Sequence, residues 1–235
     1  HALTSAARGI MTTDTRPKTS ARQVEIGGAK VSIAGMAKGA GMMKPNMATM
    51  LGFVATDASI DEELLHAAIR KANGKSFNRI TVDGDTSTND AVVLVATGAS
   101  GVVIDEANFN QFLTQLTDIF VQLAQSIVRD GEGASKFVTV NVESAENTEE
   151  ALSVAYTVAE SPLVKTALTA SDPNWGRILA AVGRADVSDL DVSKIQISLN
   201  SVLIAENGAR AASYTEEQGQ KVMQAEDIEI TIQLN

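Results

Sequence analysis

The chain has 235 residues, 44% of them hydrophobic, and 29 acidic against 19 basic side chains give it a formal charge of −10. This apolar content excludes intrinsic disorder, and an acidic balance with no basic stripe excludes a general nucleic-acid or anionic-membrane binder. With no cysteine and only His1 and His66, disulfides, thiolate nucleophiles, Cys-zinc sites and histidine-based triads drop out, leaving Thr, Ser, Lys, Asp, Glu and backbone groups for chemistry.

No apolar run approaches the ~20 residues of a membrane span, and no signal-peptide pattern opens the chain. Together with the missing cysteines this gives a cytoplasmic expectation. His1 in place of an initiator Met, and an alternating strand at the very end, read as a fragment.

Residues 1–20 look like a helix end running into a Thr-rich turn around Thr12–Thr13–Asp14–Thr15. Gln23–Ile26 and Lys30–Ala34 follow as short strands joined by Gly27–Gly28. Periodicity then breaks over Gly35–Met50, a stretch rich in Gly, Met and Lys with one Pro. Leu51–Thr56 reads as a strand and Asp61–Asn73 as a helix, with Asp61 as N-cap and Gly74 as terminator. Ile80–Val82 and Val92–Ala96 are strand-like and bracket the polar loop DGDTSTND. Ala107–Arg129 is the plainest helix, with Phe109, Phe112, Leu113, Leu116, Ile119, Phe120, Leu123 and Ile127 on one face. Lys136–Val142 alternates as a strand, and Glu146–Ala159, Pro162–Thr169 and Ile178–Arg184 read as helices. Strand-like Lys194–Leu199, Val202–Ala205 and Ile228–Leu234 complete the chain. Alternating strands and helices place it in the α/β or α+β class.

Glycines in Gly35–Met50 permit positive φ and close approach, and Pro45 fixes the turn before Asn46. The run Met47–Ala48–Thr49–Met50–Leu51 carries this loop straight into an apolar strand, with the Thr49 hydroxyl at the strand's edge. Alone, Thr49 reads as an ordinary β-branched strand residue. The loop Asp83–Asp90 begins like a calcium loop, with Asp83, Asp85, Ser87 and Asn89 alternating, but Thr88 stands at the glycine position and Leu94 at the glutamate position. No metal is expected there; side chains ordering nearby backbone amides fit better. Asn174, Trp175 and Arg177 of SDPNWGR admit either a substrate-bracing or a packing role.

The segment KGAGMMKPNMATMLGFVATDA resembles the signature of the ornithine acetyltransferase (glutamate N-acetyltransferase) family. IMTTDT, FNRITVDGDTSTNDA, VRDGEGASKF and SDPNWGRILAAVGR agree with it in order, so the resemblance spans essentially the whole chain. It implies a layered α/β sandwich with sheets between helices, DmpA/ornithine acetyltransferase-like, made from a self-cleaving precursor. Cleavage between Ala48 and Thr49 would leave residues 1–48 as the end of a first subunit and 49–235 as most of a second. Thr49 would then be an N-terminal nucleophile, transiently acetylated. This is coherent chemistry: a threonine hydroxyl needs a nearby base, and cleavage turns an amide nitrogen into an α-amine of reference pKa about 7.7–8.0.

By the same resemblance Thr12, Lys38 and Glu132 contact substrate. Lys38, eleven residues before Thr49, would hold a substrate carboxylate or depress the α-amine pKa; Glu132, at a Gly-flanked turn, would meet a substrate ammonium. Lys44 is rim. The expected reaction moves acetyl from N2-acetylornithine to glutamate in arginine biosynthesis, with no cofactor; some members also accept acetyl-CoA as donor. Small amino acids are the expected partners, within a heterotetramer of two cleaved units. The family's Thr-Gly oxyanion hole and its C-terminal site residues match nothing here, so the chain reads as a central portion. Two rival readings stand: an N-terminal-nucleophile aminopeptidase of similar fold, and an inactive truncated relative.

Overall fold

The computed structural model describes residues 2–44, 50–86 and 89–234. Their contacts divide the chain between Gly133 and Ala134 into a first unit, His1–Gly133, and a second, Ala134–Asn235. This division concerns packing. The covalent division expected at Ala48–Thr49 lies outside the described residues.

The first unit runs α1 (Ala2–Gly9), β1 (Lys18–Ile26), β2 (Ala29–Lys38), β3 (Leu51–Thr56), β4 (Ser59–Ile60), α2 (Glu62–Asn73), β5 (Ala91–Ala96), β6 (Val103–Ile104) and α3 (Phe109–Val128). Its main sheet has the order β1-β2-β3-β5, antiparallel except for the parallel pair β3–β5. Alternation sets the buried face: Val31, Ile33 and Ala37 of β2 and Val54 of β3 enter a core with Phe112, Leu116, Phe120 and Leu123 of α3. Phe77 meets Phe120 there with ring centroids 5.5 Å apart. The α2 boundaries follow the cap signals: Asp61 accepts from the Leu64 N–H, and Gly74 ends the helix.

The second unit continues with β7 (Phe137–Glu143), α4 (Thr148–Ala159), α5 (Pro162–Thr169), α6 (Trp175–Val182), β8 (Gln196–Leu199), β9 (Val202–Glu206), β10 (Ala209–Arg210), α7 (Glu216–Met223) and β11 (Asp227–Gln233). Its sheet order is β10-β9-β8-β11-β7, with β11 parallel to β7 and antiparallel to β8. The core joins Ile197, Leu199, Ile228, Ile230 and Ile232 to Val154, Val158, Ile178 and Val182 of the helices. Arg177 makes a packing tie. It donates to the Leu163 carbonyl and to Thr166 Oγ1, both at 2.9 Å, tying α6 to α5.

The fold class is mixed α/β, as the alternation predicts. Several elements differ. Ile80–Val82 is no strand, because the Val82 N–H is spent on the Met43 carbonyl at 2.7 Å. The helix α7 has no apolar periodicity to announce it; only Gly219 and Met223 are buried. The hairpin strands β1 and β2 are longer than expected, and β2 runs through Gly35 because α3 presses on the sheet there. A Cβ at Gly35 would lie 2.7 Å from Val54 Cγ2, 3.0 Å from Leu123 Cδ1 and 3.1 Å from the Phe53 carbonyl. Among the described residues no helix is long and apolar enough to cross a membrane.

Gly35→Ala should therefore destabilise the first unit by about 1–3 kcal/mol through overpacking. In urea denaturation this appears as a lowered midpoint with an unchanged slope; an unchanged midpoint would show that the helix–sheet contact has slack.

Candidate active site

Strand register gathers the expected site at one end of the first sheet. Lys38, the last residue of β2, pairs with Leu51, the first of β3, and Leu51 pairs with Ala91, the first of β5. The residues just outside the ladder, Gly39, Met50 and Asp90, share that edge. Lys38 is buried there, with 8% of its surface exposed.

The helix α3 delivers the second half. A row of contacts fixes it antiparallel to β1: Gln111 to the Glu25 carbonyl at 2.8 Å, Arg22 to Asp118 at 2.7 Å, Ser20 to Gln122 at 2.6 Å, and Arg16 to the Arg129 carbonyl at 2.9 Å. The end of α3 consequently meets the start of β1, which register places beside the end of β2 (Lys18 opposite Ala37). Asp130, Gly131 and Glu132 arrive at the same edge. Gly131 packs on Val82, where a Cβ would come within 3.0 Å of Val82 Cγ1.

A buried ionic cluster closes the arrangement. Lys18 Nζ donates to Asp14 Oδ1 at 2.6 Å and to Asp130 Oδ2 at 2.5 Å, and all three side chains are almost fully buried. Asp14 also accepts the N–H groups of Gly39 at 2.8 Å and Thr12 at 3.3 Å, while Asp130 accepts the Thr15 N–H at 3.0 Å and its hydroxyl. Burial opposes the charge of both aspartates, but the Lys18 ammonium and these donors outweigh it and hold both carboxyls below their ordinary value. Each sequence-predicted substrate residue is thereby tied to the cluster: Thr12 by its own N–H, Lys38 through Gly39, and Glu132 through Asp130.

The polar loop after α2 supplies the remaining ties. Asp83 accepts the N–H of Met42 at 2.6 Å and of Met43 at 2.9 Å, with Met42 in left-handed backbone at φ 53°. Asp90 Oδ1 accepts the Met50 N–H at 2.5 Å. Two backbone bonds reinforce the grip, Val82 N–H to Met43 O at 2.7 Å and Ala91 N–H to Met50 O at 3.1 Å. These carboxylates are turned on backbone amides, as a backbone-ordering loop requires.

Of the site residues read from the sequence, Thr12, Lys38 and Glu132 come to this one edge. Glu132 is exposed; its N–H bonds the Ala40 carbonyl at 2.9 Å, and its carboxylate covers Gly41, where a Cβ would stand 3.0 Å away. Ala48 and Thr49 lie outside the described residues; Met50, which follows them, is held at the same edge. Sequence reasoning missed Asp14, Lys18 and Asp130. Asp14 and Asp130 did stand inside quoted motifs; Asp14 is only four residues from Lys18, but the pairing of Asp130 to Lys18 across 112 residues leaves no local signature.

Removing Lys18 would orphan two buried carboxylates. Lys18→Met should cost about 3–5 kcal/mol at pH 7. In the wild type the depressed aspartates contribute stability that is present above about pH 4 and is lost as pH falls through their lowered values. The variant should do the reverse, regaining stability between pH 7 and 5 as the orphaned carboxylates take up protons. Urea titrations at both pH values check the crossing; parallel pH dependences would contradict it.

Comparison with known proteins identifies the family. The sequence matches the ArgJ family over residues 1–235. It is 56% identical over 234 residues to the arginine biosynthesis bifunctional protein ArgJ of Pseudomonas fluorescens, covering 98% of this chain and 58% of that protein. The protein of the same name from Psychrobacter arcticus is 54% identical with the same coverage. This chain thus spans a little over half the length of the curated relatives it matches. The crystal structure of ArgJ from Bacillus halodurans superposes with a TM-score of 0.75 at 37% identity, covering 79% of this chain and 88% of that one. The chain belongs to the ArgJ family.

Proposed function

We propose that this chain carries the nucleophile and two substrate-binding charges of an acetyltransferase, moving acetyl from N2-acetylornithine to glutamate in arginine biosynthesis. The observation that carries the reading is that Lys38 and Glu132, one cation and one anion, stand at the sheet edge that Met50 shares just before β3, in a member of the ArgJ family. Both substrates are α-amino acids. A carboxylate facing Lys38 and an ammonium or amide facing Glu132 would orient either one, with its acyl-bearing nitrogen toward residue 49.

In this mechanism the precursor first cleaves itself between Ala48 and Thr49. The freed α-amine then takes the Thr49 hydroxyl proton as the oxygen attacks the acetyl carbonyl of N-acetylornithine. The same amine returns the proton to the departing ornithine nitrogen, leaving acetyl-Thr49. Glutamate binds in the vacated place, and its neutral amine attacks the ester to release N-acetylglutamate. Acetyl-CoA would serve as donor by the same first half-reaction. The species is taken to be a cytoplasmic heterotetramer of two cleaved units that needs no cofactor.

The test uses the protein expressed from its full reading frame. The wild type should give two fragments by intact mass, separated between Ala48 and Thr49, and should transfer acetyl between ornithine and glutamate. Thr49→Ala should leave a single uncut chain and lower transfer by roughly a thousandfold or more. Survival of both activities in this variant would overturn the reading, as would peptide hydrolysis without transfer to glutamate.

A further inference from the structure

The backbone at Gly41 does not explain why a glycine stands there. Glycine is needed where φ is positive, as at Gly39 two residues earlier (φ 148°), but Gly41 is not among the residues of positive φ. What excludes a side chain is the space in front of it. A Cβ at Gly41 would stand 3.0 Å from both Cδ and Oε1 of Glu132 and 3.1 Å from Oε2.

The near-equality of these three distances fixes an orientation. A point about 3 Å from the carbon and from both oxygens of a carboxylate lies well out of its plane. The Glu132 carboxylate therefore rests on Gly41 by its face. Hydrogen-bond donors approach such a group close to its plane, along the lone pairs. The seat thus takes the side that accepts no hydrogen bond and leaves the two-oxygen edge to a ligand.

Both walls of this contact are held by backbone. On one side Gly39 donates its N–H to Asp14 at 2.8 Å, and Met42 and Met43 donate theirs to Asp83 at 2.6 and 2.9 Å. On the other side Glu132 donates its N–H to the Ala40 carbonyl at 2.9 Å, and Gly131 packs on Val82. The Glu132 side chain is the one part free to move. A methyl group at Gly41 would push it off the seat and into another rotamer.

We propose that Gly41 is a positioning residue for substrate recognition, its bare Cα holding the Glu132 carboxylate by the face so that the oxygen edge meets the substrate's ammonium group. This rests on the acyltransferase reading above, which gives Glu132 to the substrate. An exposed glutamate without a seat would have to give up its rotamer freedom at each binding event. Seated, it is ordered before the ligand arrives.

The test uses the protein expressed from its full reading frame, with rates taken per cleaved molecule and thermal melting to check that each variant folds. Gly41→Ala should raise KM for N2-acetylornithine roughly tenfold, as when a charge-assisted hydrogen bond is displaced, and change kcat by less than about threefold. Glu132→Ala should raise KM by at least as much. Adding Gly41→Ala to Glu132→Ala should then move KM by less than about twofold, because no carboxylate remains to be pushed aside. A general distortion of the loop would act equally in both backgrounds. An unchanged KM in Gly41→Ala, or a rise of the same size on top of Glu132→Ala, would overturn the proposal and leave the acyltransferase reading standing. A wild-type KM in Glu132→Ala would remove that residue from the reading, and the proposal with it.

Discussion

One ammonium group, Lys18 Nζ, shared between Asp14 and Asp130, decides where the candidate site residues of the first unit can be. It joins three pieces of chain with no local reason to meet: the turn before β1, the exit of β2 through Gly39, and the exit of α3 through Asp130. A buried ion cluster is a poor source of net stability, because desolvation cancels much of the Coulombic gain. Its value here is positional. An apolar trio of equal volume would fill the space, but it would not specify which oxygen faces the Gly39 amide or at what height the end of α3 stops. Two anions share the one buried cation, and the Thr12, Thr15 and Gly39 donors, with the Arg16 guanidinium 3.8 Å from Asp130, offset the second negative charge.

That constraint separates charges into two kinds. Asp14, Lys18, Asp130 and Asp83 are consumed by the protein, each turned on a partner or a backbone amide. Lys38 and Glu132 sit one or two residues along the chain from consumed groups and inherit their precision without sharing their bonds. The site's location is also uncommon for a parallel strand pair. Ligands of open α/β sheets lie beyond the carboxyl ends of parallel strands, whereas this edge holds the amino ends of β3 and β5 and the carboxyl end of β2.

Much of this was legible in the sequence where the signal is local. Asp61 and Gly74 bound α2, the apolar steps of α3 are unbroken from Phe109 to Ile127, and the alternation of Leu51–Thr56 gives β3 without error. The motif run named Thr12, Lys38 and Glu132, which the fold brings to one edge. What escaped has a common cause in tertiary pairing. Nothing near Lys18 says that its partner lies beyond α3, and nothing in Ile80–Val82 says that its amide is owed to Met43. Gly35 reads as a breaker until Leu123 is seen to need the room. In α7 the apolar period was absent, yet the capping box of Thr215 and Gln218 was there to be read.

The second unit's strand order bears on how the protein is made. β11 lies in the interior of its sheet, between β8 and β7, so its neighbours were synthesised about 30 and 90 residues earlier and have no completed ladder until it arrives. During translation the first unit, whose sheet and helices are all encoded by residue 133, can assemble while the second is still a set of unpaired strands. The first unit's sheet is thus complete before the second, whose closure waits on β11 taking its place between β8 and β7.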